Sequence, residues 1–501
     1  MRRISTQLEE LLKYAKFQEI LHQVEKLEKE GQLANLSSVE WAKCSYYKSR
    51  ALERLSHFEE ALQVAIQARM EQPSPDNLSS LILLIAQLYV LWRLNSRVEI
   101  QIAIAEGDSI LESLPISEHN AATEWRALYY NVKGNIYLAQ GELDSAIENY
   151  ERSLNLREAI GKVMDIIESI NNIAVVYFRK GMFDTTLEYG KRYLKLSEAV
   201  ENSRYIASSL LFMGNIHSEK AEFDTALDYY KRSLDLYETL DSPGGIAHSL
   251  NNISIIHRYK GELNKAVEYN QRSLALREKL KYDPETAESL FNLIICLLDK
   301  QEQDQAQHYF NQLLILHKQN PHRDIEVFVK LAEGLILTQS KRMKDKVKAQ
   351  ALLSEIADTE WRSFSALAMF HLCDLLLIEL KSFGDREVLV EAKILIEKIH
   401  IYARNQHLFP HVVSALLLRA KLATVEGNLQ QAQQYLNQAR MTAEEKNMHL
   451  LVEKVDSVQK NFETEFEKWR DLIQRNTSIQ ERIEYARVEE YLKEAQKLVG
   501  R

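Results

Sequence analysis

The sequence predicts an all-α protein, a solenoid of stacked helical hairpins closed at its C-terminal end by a helical cap. Three observations carry that prediction. Segments recur at a fixed interval of 40 residues, glycine and proline are scarce, and apolar residues follow helical rather than strand spacing. Only 15 Gly and 7 Pro occur in 501 residues, which leaves little material for loops and none for helix breaks at short intervals.

The interval is clearest in five segments, GELDSAIENY at 141, GMFDTTLEYG at 181, AEFDTALDYY at 221, GELNKAVEYN at 261 and QEQDQAQHYF at 301. Their sixth residues are Ala146, Thr186, Ala226, Ala266 and Ala306. Upstream, Gly134, Ala174, Gly214, Ser254 and Gly334 recur in step and are small; Ile294 keeps the step without the size. Two helices of a hairpin approach closely only where side chains are small, so Gly134 and Ala146 mark the near approach and Tyr137 and Tyr150 the bulk beside it. Gly141, Gly181 and Gly261 suit the left-handed residue that ends the first helix. Asp144, Asp184, Asp224 and Asn264 are then expected to cap the second. A hairpin with one apolar face cannot bury it alone, so hairpins stack.

The order small, aromatic, Gly, Ala, aromatic resembles the tetratricopeptide repeat (TPR). The 40-residue length, the strings ERSLNLRE, KRSLDLYE and QRSLALRE, and Asn-Asn-Ile-(Ala/Ser) at 171–174 and 251–254 are similar to kinesin light chain and Pins-type adaptors. The resemblance implies a right-handed superhelical solenoid of about ten to eleven TPR-like hairpins. Degenerate hairpins are expected over 1–115, with Pro73 ending one of them. The regular array covers 122–340, divergent hairpins 341–447, and capping or partner-binding helices 448–501. In the tail, Leu451, Val455, Val458, Phe462, Phe466, Trp469 and Ile473 form one stripe, and Ser478 with Glu481 reads as the opening of a last helix running through Leu492 and Ala495.

The first helix of each hairpin lines the concave surface in this family. Eight asparagines fall on those helices: Asn131, Asn135, Asn171, Asn172, Asn215, Asn251, Asn252 and Asn292. Asn is a mediocre helix former, so their recurrence needs a reason. An amide both donates and accepts, and so suits the backbone of an extended peptide of any sequence. The alternative is that these amides join neighbouring repeats. Arg179 and Arg258 are the accompanying cations; Arg258 stands where kinesin-light-chain-like repeats carry a groove arginine. The resemblance thus implies a protein or peptide partner held by these ten residues. Lys180, Lys220 and Lys260 lie at helix ends, where they complement the helix dipole.

Function classes narrow from what the chain lacks. Net charge is −9, from 63 basic and 72 acidic residues, against the basic face of a nucleic-acid binder. The apolar run Leu81–Leu94 is too short to span a bilayer, and the first residues lack the apolar core of a signal peptide, so a cytoplasmic protein without membrane insertion is expected. Cys44, Cys296 and Cys373 are far apart and read as small buried hydrophobes, with no metal site. No phosphate loop, dinucleotide fingerprint, nucleophile elbow or zinc-protease motif occurs, so no catalytic residue, no cofactor and no enzyme is expected. The leading reading is a non-enzymatic scaffold or adaptor that binds a peptide or helix in its concave groove. A TPR sensor acting through a separate output partner, and an assembly scaffold working through the tail and the apolar 77–95 hairpin, are the alternatives. Oligomeric state is left open.

Overall fold

The computed structural model describes residues 2–13, 15–72, 76–114, 121–359, 362–490 and 492; Pro73 and Ala495 lie outside them. Among the described residues there are 24 α-helices, one 3₁₀ turn at Gln32–Asn35, and no strand. Packing divides the chain into two compact units, 1–176 and 177–501.

The first unit runs α1 (Arg2–Lys13), α2 (Phe17–Lys29), α3 (Ser38–Arg54), α4 (Phe58–Glu71), α5 (Asn77–Arg93), α6 (Arg97–Ser113), α7 (Ala121–Gln140) and α8 (Leu143–Ile160), and takes in most of α9 (Val163–Arg179). Its core gathers around α5. Leu81 to Ala86 are all fully buried there, which is what the apolar run becomes when α3, α4, α6 and α7 surround it.

In the second unit the chain continues as α10 (Phe183–Ala199), α11 (Ser203–Glu219), α12 (Phe223–Thr239), α13 (Pro243–Tyr259), α14 (Leu263–Leu280), α15 (Asp283–Asp299), α16 (Gln303–Gln319), α17 (Arg323–Thr338) and α18 (Met343–Ala357). The later hairpins are α19 (Arg362–Phe383) with α20 (Arg386–Asn405) and α21 (Phe409–Glu426) with α22 (Leu429–Glu445); α23 (His449–Gln474) and α24 (Ile479–Ala486) form the tail.

Each turn inside the regular hairpins is built the same way. Gly141, Gly181, Ala221, Gly261 and Gln301 all take left-handed φ, between 59° and 80°. The amide that follows each reaches back to the helix it leaves: Glu142 to the carbonyl of Tyr137 at 2.9 Å, Glu222 to that of His217 at 2.8 Å. This is the Schellman closure, and it does not need glycine. It also corrects the expected caps. The chain re-enters a helix so quickly that Glu142, Met182, Glu222 and Glu262 stand at the cap position, none with a side-chain cap bond. Asp144, Asp184 and Asp224 fall inside the first turn, where a carboxylate meets the positive end of the helix dipole.

The small positions make room for a ring on the partner helix. A Cβ on Gly134 would stand 2.7 Å from the Tyr150 ring, and one on Gly214 would stand 2.5 Å from Tyr230. The two helices of a hairpin are further joined by buried hydroxyls. Ser153 donates to the carbonyl of Ala127 at 2.8 Å, Ser233 to Ala207 at 2.8 Å, and Ser273 to Ala247 at 2.9 Å. A buried arginine ties one hairpin to the next. Arg157 Nη1 donates to the carbonyl of Asp165 and to Ser169 Oγ, both at 2.8 Å. Arg277, 1% exposed, repeats this toward Glu285 and Ser289 at 2.6 and 2.9 Å. Between them in register stands Tyr237, whose ring occupies the space beside Gly245, where a Cβ would come within 2.3 Å.

The tail packs against the end of the second unit. α23 lies along α22, with Leu451, Val455, Val458, Phe462 and Trp469 buried. α24 folds onto α19 and α21. Ser478 accepts from the Glu481 amide at 3.2 Å and so caps α24. Arg482 Nη1 donates to the carbonyl of Val425 at 3.0 Å, and Leu492 is fully buried.

Candidate functional site

The eight asparagines lie on α7, α9, α11, α13 and α15, and the structure brings most of them together in pairs. Asn172 Nδ2 donates to Asn131 Oδ1 at 2.9 Å, Asn252 to Asn215 at 3.2 Å, and Asn292 to Asn251 at 3.1 Å. Each bond joins one repeat to the next, with donors at positions 172, 252 and 292, which share one register. Asn135 and Asn215 also accept from Tyr150 and Tyr230 hydroxyls, both at 2.7 Å. Asn131, Asn251 and Asn292 are buried; Asn135, Asn172, Asn215 and Asn252 are half-buried. Asn171, also half-buried, makes no hydrogen bond to another side chain among the described residues. The amide ladder is therefore a seam between repeats.

Arg258 departs from the sequence expectation of a groove cation. It is 5% exposed, and its Nε donates to Asp299 at 2.8 Å, so its charge is taken up inside the fold by the next repeat. Arg179 is exposed at the end of α9. Lys220 stands 3.7 Å from Asp184 and 3.6 Å from Glu222, and Lys260 stands 2.5 Å from Asp224, so both lysines serve the turns.

A different place has the shape of a site. Within the first unit a cleft of about 750 Å³ opens between α1, α3, α7 and α9. That volume lies in the range of ligand-holding clefts. α3 contributes Glu40, Lys43, Tyr46 and Tyr47; α7 contributes Glu124, Trp125 and Leu128; α1 contributes Glu9, Leu12 and Lys13; α9 and the turn before it contribute Lys162, Met164, Asp165 and Glu168. The aromatic wall is tightly set. Tyr46 meets Trp125 edge-on at 4.9 Å and Tyr47 at 5.2 Å.

The charges of the cleft are mostly matched on the spot. Lys43 meets Glu40 at 3.1 Å, Lys162 meets Glu124 at 2.7 Å, and Arg157 meets Glu168 at 3.2 Å. Burial works against the charge on Lys162, but the hydrogen bond and attraction of Glu124, helped by Glu9 and Asp165, hold its pKa above the ordinary value. Tyr47 is 5% exposed, and its hydroxyl has no hydrogen-bond partner among the described residues. Burial, then Glu9, Tyr46, Glu124 and Glu40, all push its pKa up, so it stays a neutral phenol.

The sequence reading missed this cleft. Its walls come from helices about 40 and 80 residues apart, two of them in off-consensus hairpins. The one available signal was the clustering of Tyr46, Tyr47 and Trp125 on first helices.

The arrangement offers hydrogen bonds, aromatic surface and charge, but no reactive pair. Burial pushes the Cys44 and Cys296 thiols up to about 12, which keeps both protonated at neutral pH. No group of three or more metal-ligating side chains occurs among the described residues, and none of their helices is long and apolar enough to cross a membrane.

Comparison with known proteins agrees with the repeat geometry. Residues 127–160, 165–239 and 245–318 match tetratricopeptide repeat models. No curated protein sequence matches the chain. Among solved structures, the apo form of RapI aligns with a TM-score of 0.50 at 16% identity, over 81% of this chain and 98% of that one. A Rap protein complexed with competence and sporulation factor aligns with a TM-score of 0.48 at 12% identity, over 82% and 99%. A kinesin light chain-like repeat protein from Podosopora anserina aligns with a TM-score of 0.35 at 14% identity, over 40% and 97%. The likeness to RapI is one of fold.

Proposed function

We propose, from the premise that this chain is a tetratricopeptide-repeat protein, that it is a non-catalytic adaptor whose first unit takes up a peptide segment of a partner protein. The observation that carries this reading is the cleft between α1, α3, α7 and α9, which sets an aromatic wall beside an unbonded phenol and charged side chains of both signs. Repeat scaffolds use such inner surfaces for extended guests, and a cleft rich in aromatic rings supplies contact area at low entropic cost. The Asn131–Asn172 bond keeps α7 and α9, two walls of that cleft, in register.

Hydrogen exchange of the full chain tests the assignment. A binding peptide selected from a random library should protect amides of α1, α3, α7 and α9. Protection confined to residues 177–501 would move the site to the second unit.

A further inference from the structure

We infer that the cleft of the first unit seats a cationic side chain, a lysine ammonium or an arginine guanidinium, between Glu9 and the Tyr47 hydroxyl. The inference rests on the peptide-binding reading and names the chemistry that the guest must carry.

Three observations converge on it. The first is the pairing of charges. Lys43, Lys162 and Arg157 are each held by a carboxylate of the cleft, whereas Glu9 has no ion pair among the described residues. The second is Tyr47. Its ring is buried, but its hydroxyl still meets the solvent of the open cleft and bonds to no described residue, so a guest can take it up without displacing a protein partner. Its oxygen accepts from an ammonium or guanidinium N–H, which leaves its own proton free for a neighbouring carboxylate.

The third is the sign of the surroundings. Glu9, Glu124 and Glu40 all act on the Tyr47 hydroxyl in the same direction, so an anion placed there is repelled and a cation attracted. The Trp125 and Tyr46 rings beside it suit the apolar stem of a long cationic side chain, and their faces favour its charge. Lys13 also lines the cleft, one turn beyond Glu9, but stands outside ion-pair distance of any carboxylate among the described residues and is exposed.

The test is a selection of random heptapeptides on the full chain, followed by titration calorimetry of the best binder against wild type, Glu9→Gln, Tyr47→Phe and Lys13→Ala. Glu9 is exposed and Tyr47→Phe keeps the ring, so both variants retain the fold. Selected peptides should share a lysine or arginine at one position. Glu9→Gln should weaken binding about tenfold, Tyr47→Phe somewhat less, and Lys13→Ala not at all. Replacing the shared residue by norleucine should match the Glu9→Gln loss.

Binders without a shared cation, or with equal affinity for Glu9→Gln and Tyr47→Phe, would overturn the cationic assignment while leaving peptide binding intact. Loss of binding in Lys13→Ala alone would reverse the sign of the guest. Failure to select any binder would remove both readings. Agmatine that binds in place of every peptide would keep the cation and remove the peptide.

Discussion

Helices α11 and α13 and helices α19 and α21 hold equivalent places in their hairpins, yet they present their inner sides differently. In α11 a stripe of half-open residues runs through Ser208, Phe212 and Asn215, and in α13 a matching stripe runs through the exposed His248 and the half-open Asn252 and Ile255, with the opposite side buried. In α19, Ala366 to Phe370 are all fully buried, and in α21 every residue from Pro410 to Leu418 is buried. Such a helix has no side left for a guest. The cause is local: α17 and α24 pack against α19, and α24 with α23 against α21, while Phe364 meets both Phe291 and Phe328. A continued repeat therefore does not imply a continued groove. Composition and the tail decide where the inner side is filled.

The largest expected effect breaks the filled end. Phe370→Ala, at a position with no exposure, should cost about 3–5 kcal/mol in chemical unfolding, because the surrounding helices cannot collapse into the gap. A loss below that of Asn252→Ala would mean that α19 is not closed all round.

The same end should be acid-sensitive. Burial, with Arg258 adding, pushes His371 from its ordinary 6.5 down to about 3, and its Nδ1 is sealed off without a partner. Between those values the unfolded chain binds a proton that the folded chain refuses. Stability from this group is thus complete above pH 6.5 and is lost as pH falls, by about 1.4 kcal/mol per pH unit. Urea titrations of His371→Leu should show a flatter acid limb; an unchanged limb would transfer the effect to other histidines.

At the regular end the effects shrink. Gly214→Ala should cost about 1–3 kcal/mol, since the new methyl meets the Tyr230 ring and one of the two helices must shift. Thermal melting of this variant beside Gly261→Ala, where nothing crowds the new methyl, separates crowding from backbone strain. Asn252→Ala should cost only about 1 kcal/mol, because Asn215 keeps its bond from Tyr230 when the neighbouring amide is gone. A cost several times larger would make the seam a cooperative network.

The 40-residue period and its phase were legible from Gly141, Gly181 and Gly261 and from the small residues at 134 and 214, because contacts inside a hairpin follow chain spacing. The left-handed turns at Ala221 and Gln301 keep that register without a glycine to announce them, and only the structure shows them. The asparagines stood out because their helix propensity is poor, but their partners lie 37 or 41 residues away and only packing reveals them. Arg258 looked like a groove cation until Asp299, one repeat on, took its charge. The cleft was invisible because it joins α1, α3, α7 and α9, and no spacing rule links Glu9 to Tyr47 or to Trp125.

The buried ties at Arg157, Tyr237 and Arg277 bear on how such an array is cut and spliced. Each reaches from the second helix of one hairpin into the first helix of the next, and Tyr237 fits only because position 245 is glycine. A hairpin lifted out whole would carry half of each tie, and Tyr237 transplanted before Glu285 would strike a side chain where it now finds space. The module that keeps these three ties whole is the offset one, a second helix together with the first helix that follows it.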